Sequence, residues 1–269
     1  MKIERQPIVT TSKDRHGDQI PKDILKQFFK ELPDPWVLCT NHDFSRKPIG
    51  IGTNKSFGEI KPDVWAIMMD IEVWDEEEFK KMRGFSFSYL RNKVTMNPSK
   101  EGDIEIIFNP NVLSDQEVNA LVKLSNEDIQ IDAREIIQKA FEIPFVLVIK
   151  FCTAAFFTAF FGKMGADTWD LLKKKISGFA AKRQSPTLPR PACQFNYFEI
   201  RNDYKTEIVI DLKVSELDYI SENHTELHAL INNVFDSVDD NIKRIAIVKN
   251  LNNSAWETEY VLSENDELI

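Results

Sequence analysis

The stretch IPFVLVIKFCTAAFFTAFFG, residues 143–162, is the longest apolar run of the central region, and one charge, Lys150, interrupts it. Whether it forms a helix or a strand determines how the rest of the chain is arranged. Twenty helical residues rise about 30 Å, enough to cross the core of a bilayer. A lysine in the middle of such a helix is costly unless it reaches the interface or a polar interior. We therefore expect a central apolar helix, which either spans a membrane or lies fully buried in a soluble protein.

The segments that flank this run divide the chain. The stretch KMGADTWDLLKKKISGFAAKR is amphipathic and basic at its end, and it completes a helical segment at 131–183. Three prolines follow within a linker at 184–192. Residues 193–269 predict a small α/β domain of two strands, one or two helices and a closing strand pair. Residues 1–130 predict a mixed α/β domain. The fold class is thus α+β.

Composition excludes several classes of protein. The chain has 269 residues, 42% of them hydrophobic and 29% charged, so a packed core is expected and wholesale disorder is not. A net charge of −9 argues against a general nucleic-acid binder, although it leaves room for a local basic patch. The three cysteines are far apart, which predicts neither a zinc site nor a disulfide framework. The first residues lack the apolar region of a secretory signal, so we expect a cytoplasmic protein.

The N-terminal domain is expected to alternate strands and helices. Strands are predicted at RQPIVTT, PWVLCT, DVWAIMMDIEVW, FSFSYLR and DIEIIFNP by their apolar character or by period-two alternation. Helices are predicted at PKDILKQFFKEL, by apolar spacing of three and four, and at DEEEFKKM, by its acidic first turn.

Two positions in this domain bear groups suited to nucleophilic catalysis. His42 follows the apolar strand PWVLCT, and histidine can accept a serine proton near neutral pH. Ser86 lies two residues after Gly84, and alternation puts Ser86 and Ser88 on one face of a strand. On the residues alone, each also fits a plain structural interpretation: a solvated turn for His42 and a small polar strand face for the serines.

The other histidines are weaker candidates. His16 lies in a charged turn. His224 and His228 have the i, i+4 spacing of a metal-binding helix, but no third ligand or HExxH pattern accompanies them. We interpret them as ordinary residues on a helix face, and we expect neither a metal nor an organic cofactor.

Several short patterns occur in one order between residues 5 and 112. They are a D-x-x-G-D-like turn before a helix (TSKDRHGDQIPKDILKQFF), a His-Asp pair followed by P-I-G (NHDFSRKPIG), and a strand, short helix and G-x-S pattern ending in an aromatic residue (residues 64–89). In this order they resemble the phage prohead, or capsid maturation, serine proteases, including the XkdF-like group. Those proteases are related in fold to the herpesvirus assemblins.

This resemblance implies a β-barrel-like protease domain of the assemblin type at 1–130. It implies that His42 is the general base and Ser86 the nucleophile. Glu105 would be the acidic third member that orients the histidine, with Asp103 as the other option. The sequence departs from the pattern at Ser88, where the family has a glycine.

Residues 134–269 resemble a different protein class, a bacterial module that occurs as an effector in conflict and immune-type systems. The combination predicts a serine peptidase fused to an effector or membrane-acting module in anti-phage defence. Its partner would be a protein or peptide substrate, which includes the chain itself. Homo-oligomers and contact with a membrane through residues 143–162 are further expectations, and no nucleic acid is expected to bind. The alternatives are a membrane-acting effector, or a non-catalytic interaction module with a protease-like scaffold. A capsid maturation protease is also left open.

Overall fold

The structure, a computed structural model, describes residues 1–13, 19–38, 46–81, 87–91, 104–108, 112–139, 146–183, 191–201, 203–238, 241–250 and 254–269. The chain forms two compact units. Unit 1 comprises Met1–Ser88 and Gln138–Phe141, and unit 2 comprises Tyr89–Ile137 and Glu142–Ile269. Both contain strands and helices, so the expected mixture of α and β structure is confirmed.

Unit 1 is built on an antiparallel sheet whose strand order is β1-β4-β3-β2. Its elements are β1 (Lys2–Thr10), α1 (Lys22–Glu31), β2 (Trp36–Leu38), β3 (Gly50–Lys61), β4 (Val64–Val73) and α2 (Glu76–Lys81). The strand β5 (Phe87–Arg91) follows. Every strand and helix predicted here from apolar patterning is present, and β3 is an additional strand.

Unit 2 is organised by a mixed sheet in the order β12-β11-β10-β9-β8-β6-β7-β5. Its strands are β6 (Ile104–Phe108), β7 (Ile131–Lys139), β8 (Val146–Phe151), β9 (Ala192–Arg201), β10 (Tyr204–Lys213), β11 (Ile242–Lys249) and β12 (Trp256–Ser263). The helices are α3 (Asp115–Val122), α4 (Ala154–Ala159), α5 (Ala166–Ala181), α6 (Leu217–Glu222) and α7 (His224–Ser237). A π-helical turn, Phe160–Met164, joins α4 to α5.

Strand pairing explains where the units divide. The sequence placed residues 1–130 in one domain and 131–183 in a helical segment. In the structure β6 pairs with β8, and β8 pairs in turn with β9, so residues on both sides of position 130 share one sheet. The division at Ser88 and Tyr89 therefore differs from the predicted domain boundaries.

The apolar run is a strand followed by a short helix, so the prediction of a single central helix was wrong. Val146–Phe151 forms β8 because valine and isoleucine suit a buried strand. Thr153 then accepts the N–H of Phe156 at 3.1 Å and begins α4 as its N-cap. Phe151 and Phe157 are fully buried. Within the part of the chain that the structure describes, no helix combines the length and apolar character needed to cross a bilayer.

One face of the sheet in unit 2 forms the main core. Alternate residues of its strands pack against the buried sides of the helices, and they include Ile149, Phe195 and Ile210. From the helices, Leu172 and Ile231 are both fully buried in the same core. Burial of this apolar surface is the dominant stabilising contribution to unit 2.

Candidate functional site

The predicted nucleophile and base lie outside the described residues. His42 falls in 39–45 and Ser86 in 82–86, and the alternative acid Asp103 lies in 92–103. Their roles therefore stay predictions. The structure does describe the elements from which these segments leave and to which they return.

Three strands of unit 1 meet in one row at the place where those segments begin. Leu38, the last residue of β2, is the register partner of Gly50, and Gly50 is in turn the partner of Val73 at the end of β4. Neighbouring strands lie about 4.8 Å apart, so Leu38 and Val73 are about 10 Å apart across the sheet. The segment with His42 leaves from Leu38, and the chain that carries α2 and Ser86 leaves from Val73.

Backbone hydrogen bonds of Ile49 hold this corner together. Its N–H donates to the carbonyl of Leu38 at 2.9 Å, which closes the loop that contains His42. Its carbonyl accepts the N–H of Trp74 at 2.8 Å and that of Asp75 at 3.2 Å. Ile49 is 2% exposed, so all three bonds are made in a packed environment. Ile49 thus closes the loop through its N–H and holds the start of α2 through its carbonyl.

Gly50 is required by the close approach of β3 and β4. A Cβ at this position would overlap the carbonyl oxygen of Glu72 and lie 3.2 Å from the Cα of Val73. Both neighbours are backbone atoms and cannot rotate away. The P-I-G pattern of the sequence thus has a structural reason that does not depend on any resemblance.

The helix that precedes Ser86 has a side-chain cap. Asp75 accepts the N–H of Glu78 at 2.9 Å through its carboxylate, as an N-cap residue does. Because Asp75 also donates its own N–H to Ile49, the start of α2 is fixed relative to the sheet.

Glu105, the predicted acidic member, lies in β6 of unit 2. Its carboxylate forms an ion pair with Arg134 of β7 at 2.7 Å. Its side chain is 23% exposed, so the pair is partly screened from water. Glu105 is therefore engaged by a guanidinium, and its orientation of His42 stays a prediction.

Sequence reasoning missed a hydroxyl–imidazole pair in unit 2. Thr158 of α4 and His228 of α7 are joined by a hydrogen bond of 2.6 Å between Oγ1 and Nε2. The sequence predicts an ordinary helix-face histidine at His228, and nothing in it links that residue to a threonine 70 residues away. Only the packing of α4 against α7 brings the two together.

The surroundings of His228 favour its neutral form. Burial lowers the pKa of His228, the charge of Glu199 opposes this effect, and His224 adds to it. Glu199 is itself held by Arg201 at 2.7 Å. On the strand side, the buried hydroxyl of Tyr197 has no hydrogen-bond partner among the residues that the structure describes, and burial raises its pKa.

Proton counting shows what this pair can do. The Thr158 hydroxyl has one proton, which can be donated either to the carbonyl of Ala154 at 3.0 Å or to Nε2 of His228 at 2.6 Å. When the carbonyl takes it, Nε2 carries a proton and donates to Thr158. In either tautomer the bond joins α4 to α7. The described residues also contain no convergence of three histidine, cysteine, aspartate or glutamate side chains suited to a metal ion.

Comparison of the chain with protein families, with curated proteins and with solved structures found no match.

Proposed function

We propose that the chain is a serine peptidase in which Ser86 is the nucleophile and His42 the general base. The observation that carries this proposal is the shared row of Leu38, Gly50 and Val73, because it anchors both segments at the same end of one sheet. The resemblance of residues 5–112 to prohead proteases supplies the roles. An assemblin-type, barrel-like arrangement of the first domain is part of the same proposal.

Chain length is compatible with a meeting of the two groups. His42 is four residues from Leu38, a reach of at most about 14 Å. On the other side, the six-residue helix α2 is about 9 Å long and ends at Lys81. Ser86 is five residues beyond Lys81, so it can lie at most about 17 Å from the end of that helix. The anchors are about 10 Å apart. A serine–histidine hydrogen bond of about 2.6–3.2 Å is therefore within reach of both segments.

In the proposed reaction, His42 removes the hydroxyl proton of Ser86 as Oγ attacks a peptide carbonyl carbon. The acyl-enzyme forms when the leaving amine takes that proton from His42, and water then hydrolyses the ester. Backbone amides near the serine would stabilise the oxyanion. Glu105 or Asp103 would orient the imidazole.

The substrate is a protein or peptide, and the chain itself is one candidate. Unit 2 would regulate the peptidase or act as an effector that cleavage releases, in the setting of anti-phage defence. We propose a cytoplasmic location, with membrane association as a further proposal, and assembly into homo-oligomers.

A fluorophosphonate probe tests the proposal. The parent protein is expected to be labelled, and peptide mass spectrometry is expected to find the adduct on Ser86. Labelling should be lost in Ser86→Ala and His42→Ala and kept in Ser88→Ala, which is the matched control two residues away. Circular dichroism of each variant excludes unfolding as the cause. Cleavage of casein and of the chain itself, followed on gels, separates a peptidase from another serine hydrolase.

Two outcomes would favour the alternatives. A parent protein that is neither labelled nor active in cleavage, with Ser86→Ala behaving like it in every assay, would favour a non-catalytic interaction module. Flotation of the purified chain with liposomes would favour a membrane-acting effector.

A further inference from the structure

The Thr158–His228 pair lies at the end of the unit 2 sheet where the topology favours a site. β8 and β9 are parallel neighbours, and α4 begins just beyond the carboxyl end of β8. In open sheets with parallel strands, ligands bind outside the carboxyl ends of those strands. Thr158 lies on α4, Glu199 lies near the carboxyl end of β9, and His228 bonds to Thr158 from α7. A hydroxyl, an imidazole and a carboxylate are thus brought to the same end of the sheet.

The distance within the pair is that of a nucleophile and its base. Oγ1 of Thr158 lies 2.6 Å from Nε2 of His228, and competent pairs are about 2.6–3.2 Å apart. In the tautomer whose Nε2 has no proton, the hydroxyl donates to the imidazole, which can then take the proton as the oxygen attacks. Burial lowers the pKa of His228, which keeps the ring neutral and able to accept. The negative charge of Glu199 would stabilise the imidazolium once the proton has moved.

The surroundings of Thr158 leave room for a substrate. Thr158 and His228 are both half-buried, so neither is enclosed in the core. Gly162 follows Thr158 by four residues and therefore lies on the same side of the helix. Its backbone departs from helical geometry, with φ −80° and ψ −135°, and a Cβ at this position would meet no described atom within 4 Å. The π-helical turn that contains Gly162 is of a kind found frequently at functional sites.

We propose that Thr158 and His228 form a second catalytic site, which hydrolyses short-chain acyl esters with Thr158 as nucleophile and His228 as general base. Oγ1 attacks the ester carbonyl carbon while its proton passes to Nε2. The bond from that carbon to the leaving oxygen then breaks, and the leaving oxygen takes the proton from Nε2. Water, which gives a proton to Nε2 as it attacks, hydrolyses the threonyl ester, and Nε2 returns that proton to Oγ1.

The class of substrate follows from the same groups. An ester is favoured over an amide, because an alkoxide leaves more readily than an amine when one imidazole is the acid and the base. A short acyl group is favoured because the hydroxyl is half-buried between two helices. The site uses neither Ser86 nor His42, so it holds whether or not the chain is a peptidase.

Hydrolysis of p-nitrophenyl acetate by the full chain tests the proposal. The parent protein should release p-nitrophenolate, and peptide mass spectrometry after an acid quench should find an acetyl group on Thr158. Thr158→Val removes the nucleophile and should lower the rate at least about a hundredfold, within the range that acid–base catalysis contributes. Thr158→Ser keeps a hydroxyl and should retain most of the rate. His228→Gln should lose as much as Thr158→Val, because the two residues act as one unit.

Two matched variants control for the substitutions themselves. Thr258→Val makes the same change at a half-buried position of β12 and should leave the rate unchanged. His224→Gln alters the histidine one turn earlier on α7, whose Nδ1 lies 2.9 Å from the carbonyl of Ser221, and should also leave the rate unchanged. Circular dichroism and urea unfolding of each variant exclude loss of the fold as the cause.

Three results would overturn the proposal. They are an undiminished rate in Thr158→Val, an equal fall in Thr158→Val and Thr258→Val, and acetylation confined to lysine or histidine side chains. An acetyl group on Ser86 in place of Thr158 would overturn it as well, while supporting the proposed peptidase, so the two proposals fail separately.

Discussion

The carbonyl oxygen of Ile49 accepts the amide of Trp74 at 2.8 Å, and this bond ties the end of the His42 loop to the start of α2. Gly50, the next residue, permits the approach of β3 to β4 that makes the bond possible. Two segments that are distant in sequence thus depend on one close backbone contact.

Replacing Gly50 with alanine should destabilise unit 1 strongly. The added Cβ would overlap the carbonyl oxygen of Glu72, which cannot move without shifting β4. Overpacking of this kind costs about 1–3 kcal/mol, to be measured as a lower free energy of unfolding in urea. Gly58→Ala is the matched control on the same strand, since its Cβ would meet only the flexible end of Met68 at 3.6 Å. Equal losses in the two variants would contradict the steric explanation.

An ion pair between α3 and the end of α5 should make stability depend on pH in acid. Glu117 contacts Arg183 at 2.5 and 3.1 Å and also closes the capping box of α3 with Ser114. Burial raises the pKa of Glu117, but hydrogen bonds from Arg183 and Ser114 outweigh it and lower the pKa to about 2. Because the pKa falls on folding, this stabilisation is present above about 4.5 and is lost as the pH drops toward 2.

The variant Glu117→Gln should therefore lose about 2 kcal/mol of unfolding free energy at pH 7, since hydrogen bonds to charged groups contribute about that much. The loss should shrink as urea unfolding is repeated between pH 5 and pH 3. Glu127→Gln, at an exposed position near α3, serves as the control and should change stability little at any pH. A loss in Glu117→Gln that does not vary with pH would rule out the ionic origin.

Local patterning predicts much of this fold because most strands carry clear apolar alternation. The segments FSYLR and EIVIDLK, for example, lie on β5 and β10. The strand β3 was missed because GIGTNKSFGEIK contains three glycines and few β-branched residues, so its pairing with β4 is decided by tertiary contacts. The run 143–162 was misread because a continuous apolar stretch has no period to distinguish a buried strand from a helix.

The candidate site is less accessible to sequence reasoning. The pattern around His42 and Ser86 suggests roles, but the shared anchor at Leu38 and Val73 depends on which strands pair. Register likewise sets Lys150 beside Asn196, although the two residues are far apart in the chain. Strand alternation explains the lysine within the apolar run, because it turns Lys150 to the face of the sheet opposite Ile149 and Phe151.

The aromatic core formed by the apolar run should contribute strongly to stability. Phe157 is fully buried, with its ring centre 4.5 Å from that of Tyr197 and 5.1 Å from that of Phe151. Phe157→Ala should cost about 3–5 kcal/mol of unfolding free energy, because it leaves a cavity that the core cannot fully close. Leu171→Ala, at a position 52% exposed, is the control and should cost less than about 1 kcal/mol. Similar costs in both variants would show that this run does not form the core.

His228 should titrate below the usual range for histidine. Burial lowers its pKa from 6.5, because the charged imidazolium loses hydration between α4 and α7. Folding thus releases protons from this side chain just below pH 6.5, so stability contributed here is full above that value and declines as the pH falls. An NMR titration of the imidazole protons, with the urea-unfolded chain as reference, measures the difference between the two pKa values directly.

Thr158→Val removes the hydroxyl that is hydrogen-bonded to Nε2 and should lower stability by about 1 kcal/mol. A His228 pKa above that of the unfolded chain would mean that Glu199 outweighs burial, and stability would then rise rather than fall on mild acidification.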